Sequence, residues 1–137
     1  MRGLQKKTMA LWAGLFLLTG LVPAGVLHAQ PALDVAQLLA DVEVLASDSL
    51  EGRRTGTPGN EAARAYIQAA FERIGVQPLG GTYAHPFEFS SRGGEVVSGV
   101  NLLAWVAGTE RPDTIVVVTA HYDHLGVGAA VNGDSIY

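Results

Sequence analysis

Residues 114–120 (TIVVVTA) form an uncharged run that is dominated by β-branched side chains. Such a run is apolar on both faces, which is typical of a β-strand at the centre of a sheet. A central strand needs a layer of structure packed on each of its faces. The segment therefore predicts an α/β fold in which helices cover a sheet.

Two amphipathic helices are predicted upstream of that strand. The first covers residues 33–46 and has Asp34 near its start, where a carboxylate interacts favourably with the helix dipole. The second begins at Pro58, after the capping residue Thr57, and ends at Gly75. Two helices can cover one face of a sheet or part of each, so we expect some of the apolar strand to stay bare. The apolar stripe of the second helix, expected to pack on the sheet, consists of Ala63, Tyr66, Ile67, Ala70, Phe71 and Ile74.

Two further strands are predicted between the second helix and the apolar run. Alternating aromatic side chains indicate a strand over residues 83–89, and Pro86 favours a position at the edge of a sheet. A turn over residues 90–94 leads to a second strand over residues 100–106. Because only a short loop separates this strand from residues 114–120, the two are expected to run antiparallel.

Two Gly-rich segments, residues 50–60 and 121–133, are predicted to be irregular. The second contains GVGAAV from Gly126, which does not join a strand directly to a helix as a dinucleotide-binding fingerprint would. The sequence contains no G-x-S-x-G, P-loop or H-E-x-x-H motif. It also lacks Cys, which excludes a disulfide scaffold, a thiolate zinc site and a cysteine nucleophile.

Residues 1–29 are predicted to be an export signal peptide. An uncharged apolar run over residues 9–27 follows a short basic head, with cleavage expected after Ala29 or Ala24. The alternative is an uncleaved membrane anchor, because the run is nearly long enough to span a bilayer. In either case residues 30–137 would act outside the cytoplasm, as a secreted, periplasmic or N-terminally anchored protein. The basic head consists of Arg2, Lys6 and Lys7.

The remainder of the chain is acidic. All 13 Asp and Glu residues lie at or beyond Asp34, and three of the nine basic residues lie within the signal. The basic residues that remain are all arginines. An acidic chain of this kind is not expected to bind nucleic acid through phosphates or an anionic membrane through a basic patch.

The candidate chemistry lies in HYDHLG, residues 121–126, directly after the predicted central strand, where α/β folds gather their ligands. His121 can bind a metal through one ring nitrogen while Asp123, two residues on, accepts a hydrogen bond from the other and fixes the tautomer. The alternative for His121 is a hydrogen-bonded histidine at a strand end. His124 is expected to line the site or face solvent, and His85 has no functional role.

Several segments, taken in order, resemble the start of an M28-type metallopeptidase domain, the family of co-catalytic zinc aminopeptidases. They are LASDSLEGRRTGTPGNEAARAYIQAAFERIGVQP, an aromatic strand, GVNLLAWVAG and TIVVVTAHYDHLG. The resemblance covers residues 33–137. It implies a three-layer α/β/α fold with a mixed β-sheet, the phosphorylase/hydrolase-like zinc-peptidase architecture, which would be incomplete in this chain.

The resemblance also implies a reaction and its residues. The family hydrolyses the N-terminal peptide bond of a substrate with a free N-terminus, using two zinc ions. By resemblance, His121 is a zinc ligand and Asp123 is the aspartate that orients it. Asp134 matches the lead-in to the family's metal-bridging aspartate and is not expected to be the bridge.

Residues 30–137 are therefore expected to be the N-terminal portion of a truncated peptidase domain. A catalytic zinc site needs about three protein ligands, and only His121 is identified, so the chain alone is expected to be inactive. Two other functions stay open. One is a glutaminyl-cyclase-like zinc acyltransferase of the same fold, and the other is a binding module without catalysis.

Overall fold

The computed structural model describes residues 32–137, and residues 34–137 belong to one compact unit. The predicted signal peptide, residues 1–29, lies outside the described residues. Among those that are described, no helix has the length and apolar character needed to cross a membrane.

Helix α1 spans Val35–Leu45 and confirms the first predicted helix. Asp34 caps it, since its side chain accepts a hydrogen bond from the Gln37 amide at 3.0 Å. All 11 residues of α1 remain at least partly exposed. The helix is joined to the next one by the Tyr66 hydroxyl, which donates to Asp41 Oδ1 at 2.6 Å.

Helix α2 spans Pro58–Ile74 and confirms the second predicted helix at both ends. Thr57 is the N-cap, and Gly75 ends the helix in the left-handed conformation at φ 76°. Of the predicted apolar stripe, Ala63 is fully buried and the Phe71 ring lies against Tyr83, with 5.8 Å between ring centroids. A 3-10 turn, Asp48–Arg53, occupies the first part of the predicted loop and packs on α2.

The strands form three separate antiparallel pairs. The longest is a hairpin of β2, Ala84–Ser90, and β3, Val96–Leu102, in which Phe87 faces Gly99, and it confirms the predicted aromatic strand and turn. The predicted strand 100–106 begins earlier, because β3 starts at Val96, and it is interrupted at Leu103 before the short strand β4, Ala104–Trp105. The strands are β1 Gln77–Pro78, β2 Ala84–Ser90, β3 Val96–Leu102, β4 Ala104–Trp105, β5 Val127–Val131 and β6 Asp134–Ile136.

The predicted central strand, residues 114–120, is not a strand in the structure. Within the described residues, the backbone of residues 115–120 has no hydrogen-bond partner, and Val118 is 91% exposed. The prediction that residues 100–106 and 114–120 pair antiparallel is therefore wrong as well. An apolar run of β-branched residues favours a strand, but a strand exists only where a neighbour completes its hydrogen bonds.

The prediction that residues 121–133 are irregular is also wrong in part. Strands β5 and β6 form a hairpin there, with Asn132 at φ 55° and Gly133 at φ 89° in its turn. An Asn-Gly pair between short apolar segments is a strong hairpin signal, because both residues accept positive φ.

The described residues thus combine helices with small antiparallel sheets, a mixed α/β structure. The three-layer arrangement stays a prediction.

Candidate metal-binding site

The His121 imidazole contacts Asp123, but the backbone oxygen of Asp123 lies closer to the ring than the carboxylate that the sequence predicts as its acceptor. His121 Nδ1 lies 2.9 Å from the Asp123 backbone oxygen and 3.4 Å from Asp123 Oδ1. Both oxygens can only accept a hydrogen bond from a neutral ring, so Nδ1 carries the proton. The lone pair is then on Nε2, the form in which a histidine binds a metal. The side chain is 81% exposed, so that nitrogen is open to a ligand.

The Asp123 carboxylate is held from its other side by Thr55. Thr55 Oγ1 donates to Asp123 Oδ2 at 2.9 Å, while Oδ1 faces the imidazole. One carboxylate oxygen thus contacts a hydroxyl group, and the other lies near a ring nitrogen.

The backbone that carries His121 and Asp123 is fixed by the 3-10 turn. Arg53 Nε donates to the Tyr122 carbonyl at 2.9 Å, and the His124 amide donates to the Arg53 carbonyl at 3.2 Å. The Gly126 amide donates to the Gly52 carbonyl at 3.0 Å. Residues 52–53 and residues 122–126 are distant in sequence, and these hydrogen bonds join them in the structure.

Arg53 is itself anchored to both helices. Its Nη1 donates to the Leu45 carbonyl at the end of α1. Its own carbonyl accepts a hydrogen bond at 3.1 Å from the Nδ2 of Asn60, a residue of α2 that is only 3% exposed. The guanidinium donates in several fixed directions at once, which a single ammonium group cannot reproduce.

Tyr122 attaches the same segment to the β2–β3 hairpin. Its hydroxyl donates to the Val100 carbonyl at 2.6 Å. Burial raises the pKa of Tyr122 above its ordinary value, with a further increase from the nearby Asp123 and a decrease from Arg64. The hydroxyl therefore stays protonated and able to donate throughout the neutral range.

The other residues considered in the sequence lie elsewhere. His124 is exposed and lines a cleft of about 220 Å³ together with Arg53 and Asp134. Asp134 accepts a hydrogen bond from the Ile136 amide at 3.0 Å, within β6. His85 Nε2 lies 3.1 Å from the Thr82 carbonyl, a local contact. Within residues 32–137, no three His, Asp or Glu side chains lie close enough to hold a metal ion together.

The residues that support His121 and Asp123 were not predicted from the sequence. Thr55 and Arg53 were seen only as members of a Gly-rich loop, although their polar side chains make the contacts that orient residues 121–124. The available signal in the sequence was an arginine and a threonine in a Gly-rich loop. Loops positioned by a rigid scaffold often carry functional side chains.

The arrangement provides one exposed imidazole nitrogen with a defined tautomer, supported by a carboxylate and a hydroxyl. The donor type suits zinc, for which neutral imidazole is a common ligand. No protein-family model matches the chain, and no curated protein or solved structure is significantly similar to it.

Proposed function

We propose that residues 30–137 form part of an exported zinc aminopeptidase domain of the M28 type, and that His121 is one of its zinc ligands. The observation that carries the proposal is the contact of His121 Nδ1 with Asp123, 2.9 Å to the backbone oxygen and 3.4 Å to Oδ1, which leaves Nε2 open. Thr55 Oγ1 donates to the carboxylate of the same aspartate at 2.9 Å, which holds a second oxygen acceptor beside the imidazole.

In this proposal each residue has a distinct role. His121 would hold zinc through Nε2, and Asp123 would keep the ring in the required tautomer. When bound, zinc would polarise the scissile carbonyl of a peptide with a free N-terminus, and two ions are expected in a complete site. The further ligands would come from outside the described residues, since a catalytic zinc has about three protein ligands. The three-layer α/β/α fold with a mixed sheet belongs to the same proposal.

Zinc binding by the purified chain tests the role of His121. We expect weak binding of Zn²⁺, measured by isothermal titration calorimetry, that is lost in His121→Ala. His85→Ala is the matched control, because it removes an imidazole whose contact is local. Equal zinc affinity in His121→Ala and the unchanged chain would contradict the assignment.

Activity distinguishes the proposed reaction from the two alternatives. The assay uses the protein purified from its native source, and we expect it to hydrolyse aminoacyl-nitroanilides. Cyclisation of N-terminal Gln peptides without hydrolysis would instead indicate the glutaminyl-cyclase-like acyltransferase. A zinc content near zero in that native protein would indicate a binding module and overturn the proposal.

A further inference from the structure

Asn132 and Gly133 form the tip of the β5–β6 hairpin. Both residues are exposed, and they occupy the turn at φ 55° and φ 89°. Asparagine is among the thermolabile residues of proteins. We propose that Asn132 is a site of deamidation, at which the side-chain amide is lost and part of the product carries its main chain through the former side chain. The inference goes beyond the proposed zinc chemistry and requires neither a metal nor an enzyme.

The reaction uses the Gly133 backbone nitrogen as its nucleophile. This nitrogen attacks the side-chain carbon Cγ of Asn132, a C–N bond closes a five-membered succinimide ring, and the side-chain nitrogen leaves as ammonia with the Gly133 amide proton. Water then adds to one of the two ring carbonyl carbons and breaks its bond to the Gly133 nitrogen. Addition at Cγ gives aspartate, whereas addition at the main-chain carbonyl carbon gives isoaspartate, in which Cβ belongs to the main chain.

The Gly133 nitrogen is accessible for this attack. Within residues 32–137, the Gly133 amide donates to no backbone carbonyl. A Cβ placed on Gly133 would meet nothing within 4 Å, and glycine itself has no side chain to obstruct the nitrogen. Ring closure also requires rotation of the Asn132 backbone, and an exposed turn at a hairpin tip opens at low free-energy cost.

The other two asparagines of the chain lack this combination. Asn60 is 3% exposed and lies in α2, where its Nδ2 donates a hydrogen bond and Glu61 follows it. Asn101 is exposed, but it is paired within β3 and is followed by Leu102, whose side chain obstructs the backbone nitrogen. The chain therefore contains its own controls for burial and for the identity of the following residue.

Deamidation changes the hairpin as well as its charge. Val131 and Asp134 are paired on either side of the turn, and the register of a hairpin depends on the length of its loop. Isoaspartate lengthens the main chain at the tip by the Cβ atom, and either product places a new carboxylate beside Asp134. We expect faster hydrogen exchange of the Tyr137 amide, which donates to the Gly126 carbonyl at 3.0 Å.

Incubation of the purified, metal-free chain tests the site, with peptide mapping by mass spectrometry as the measurement. In native buffer we expect Asn132 to be converted to aspartate and isoaspartate, while Asn60 and Asn101 stay intact in the same samples. Conversion should be faster at mildly alkaline than at neutral pH, because hydroxide removes the amide proton. The same chain unfolded in urea gives the reference rate. An intact Asn132 in the folded chain, under conditions in which the unfolded chain reacts, would overturn the proposal.

Asn132→Gly is the matched variant for the structural consequence. Glycine accepts the positive φ of this position and has no amide to lose. We expect incubation to accelerate exchange of the Tyr137 amide in the unchanged chain and to leave it constant in Asn132→Gly. Equal acceleration in both chains would overturn the link between deamidation and the hairpin. No sample contains zinc, so these results are independent of the role proposed for His121.

Discussion

The backbone at Gly52 closely approaches the backbone at Gly126, five residues after His121. It has φ 63°, and a Cβ placed on it would lie 2.8 Å from the Gly126 carbonyl oxygen and would also overlap the Tyr137 carbonyl. Only a residue without a side chain permits this backbone contact. The close approach aligns the Gly52 carbonyl with the Gly126 amide, five residues after His121.

Replacing Gly52 by Ala should therefore open the contact between the two segments. The left-handed conformation costs Ala about 1–2 kcal/mol, and the collision with Gly126 adds to this. We expect amide hydrogen exchange at Gly126 to be at least about 5–30-fold faster. Gly80→Ala is the matched control, because Gly80 has φ 67° and an added Cβ there would meet nothing within 4 Å. Equal exchange at Gly126 in both variants would contradict the role of Gly52.

At the level of single residues, the sequence was sufficient to predict a contact within a short segment. The pairing of His121 with Asp123 follows from a spacing of two residues. The contact of Thr55 with Asp123 spans 68 positions and that of Arg53 with Tyr122 spans 69. Nothing local in the sequence indicates which distant carbonyl or carboxylate such a side chain will meet.

Among the secondary-structure elements, those that adjacent residues determine were predicted better than those that depend on a distant partner. Helix α2 was predicted at both ends because Thr57, Pro58 and Gly75 act on adjacent backbone groups. Residues 114–120 were misassigned because a strand depends on a partner that composition cannot identify. The β5–β6 hairpin was missed despite its Asn-Gly turn, because the Gly-rich composition of the segment outweighed that local signal.

The contact between α1 and α2 should depend on pH. The hydrogen bond from Tyr66, with a second from Gln37, lowers the pKa of Asp41, and the same bond raises the pKa of Tyr66. A lowered carboxyl pKa stabilises the contact above the ordinary pKa of aspartate, and this contribution is lost as the pH falls through the lowered value. A raised tyrosine pKa contributes below the ordinary pKa of tyrosine and is lost as the pH rises through the raised value.

Tyr66→Phe tests this dependence directly. We expect the pKa of Asp41, measured by NMR titration of its carboxyl carbon, to rise toward the ordinary value in Tyr66→Phe. Tyr83→Phe is the control, because the Tyr83 hydroxyl donates to the Val76 carbonyl and not to a carboxylate. An unchanged Asp41 pKa in Tyr66→Phe would show that the bond is absent in solution.

Across residues 32–137, little apolar surface is withdrawn from water. Among the described residues, the buried apolar side chains are Leu50 and Ala63. Large apolar side chains remain exposed along α1 and along residues 115–118, where Ile115 and Val116 are each 84% exposed. An exposed, uncharged apolar segment with unpaired backbone groups is a template for pairing with another chain.

We therefore expect the purified chain to associate through residues 114–120. The double variant Val116→Lys/Val118→Lys should sediment as a monomer over a concentration range in which the unchanged chain associates. Both side chains are already exposed, so the fold should be little affected. Val106→Lys is the control, because Val106 is 76% exposed but lies outside the segment. Association of the double variant to the same extent as the unchanged chain would contradict this prediction.

The long sequence separation between Thr55 and Asp123 has a consequence for the order of folding. Bringing together the ends of a flexible loop of 68 residues costs on the order of 4 kcal/mol in chain entropy. Contacts of this kind form late, after local helices and turns. During synthesis the 3-10 turn and α2 can form long before residue 121 is added. The Thr55 contact with the Asp123 carboxylate is therefore expected in one of the last steps of folding, on a loop that local interactions have already shaped.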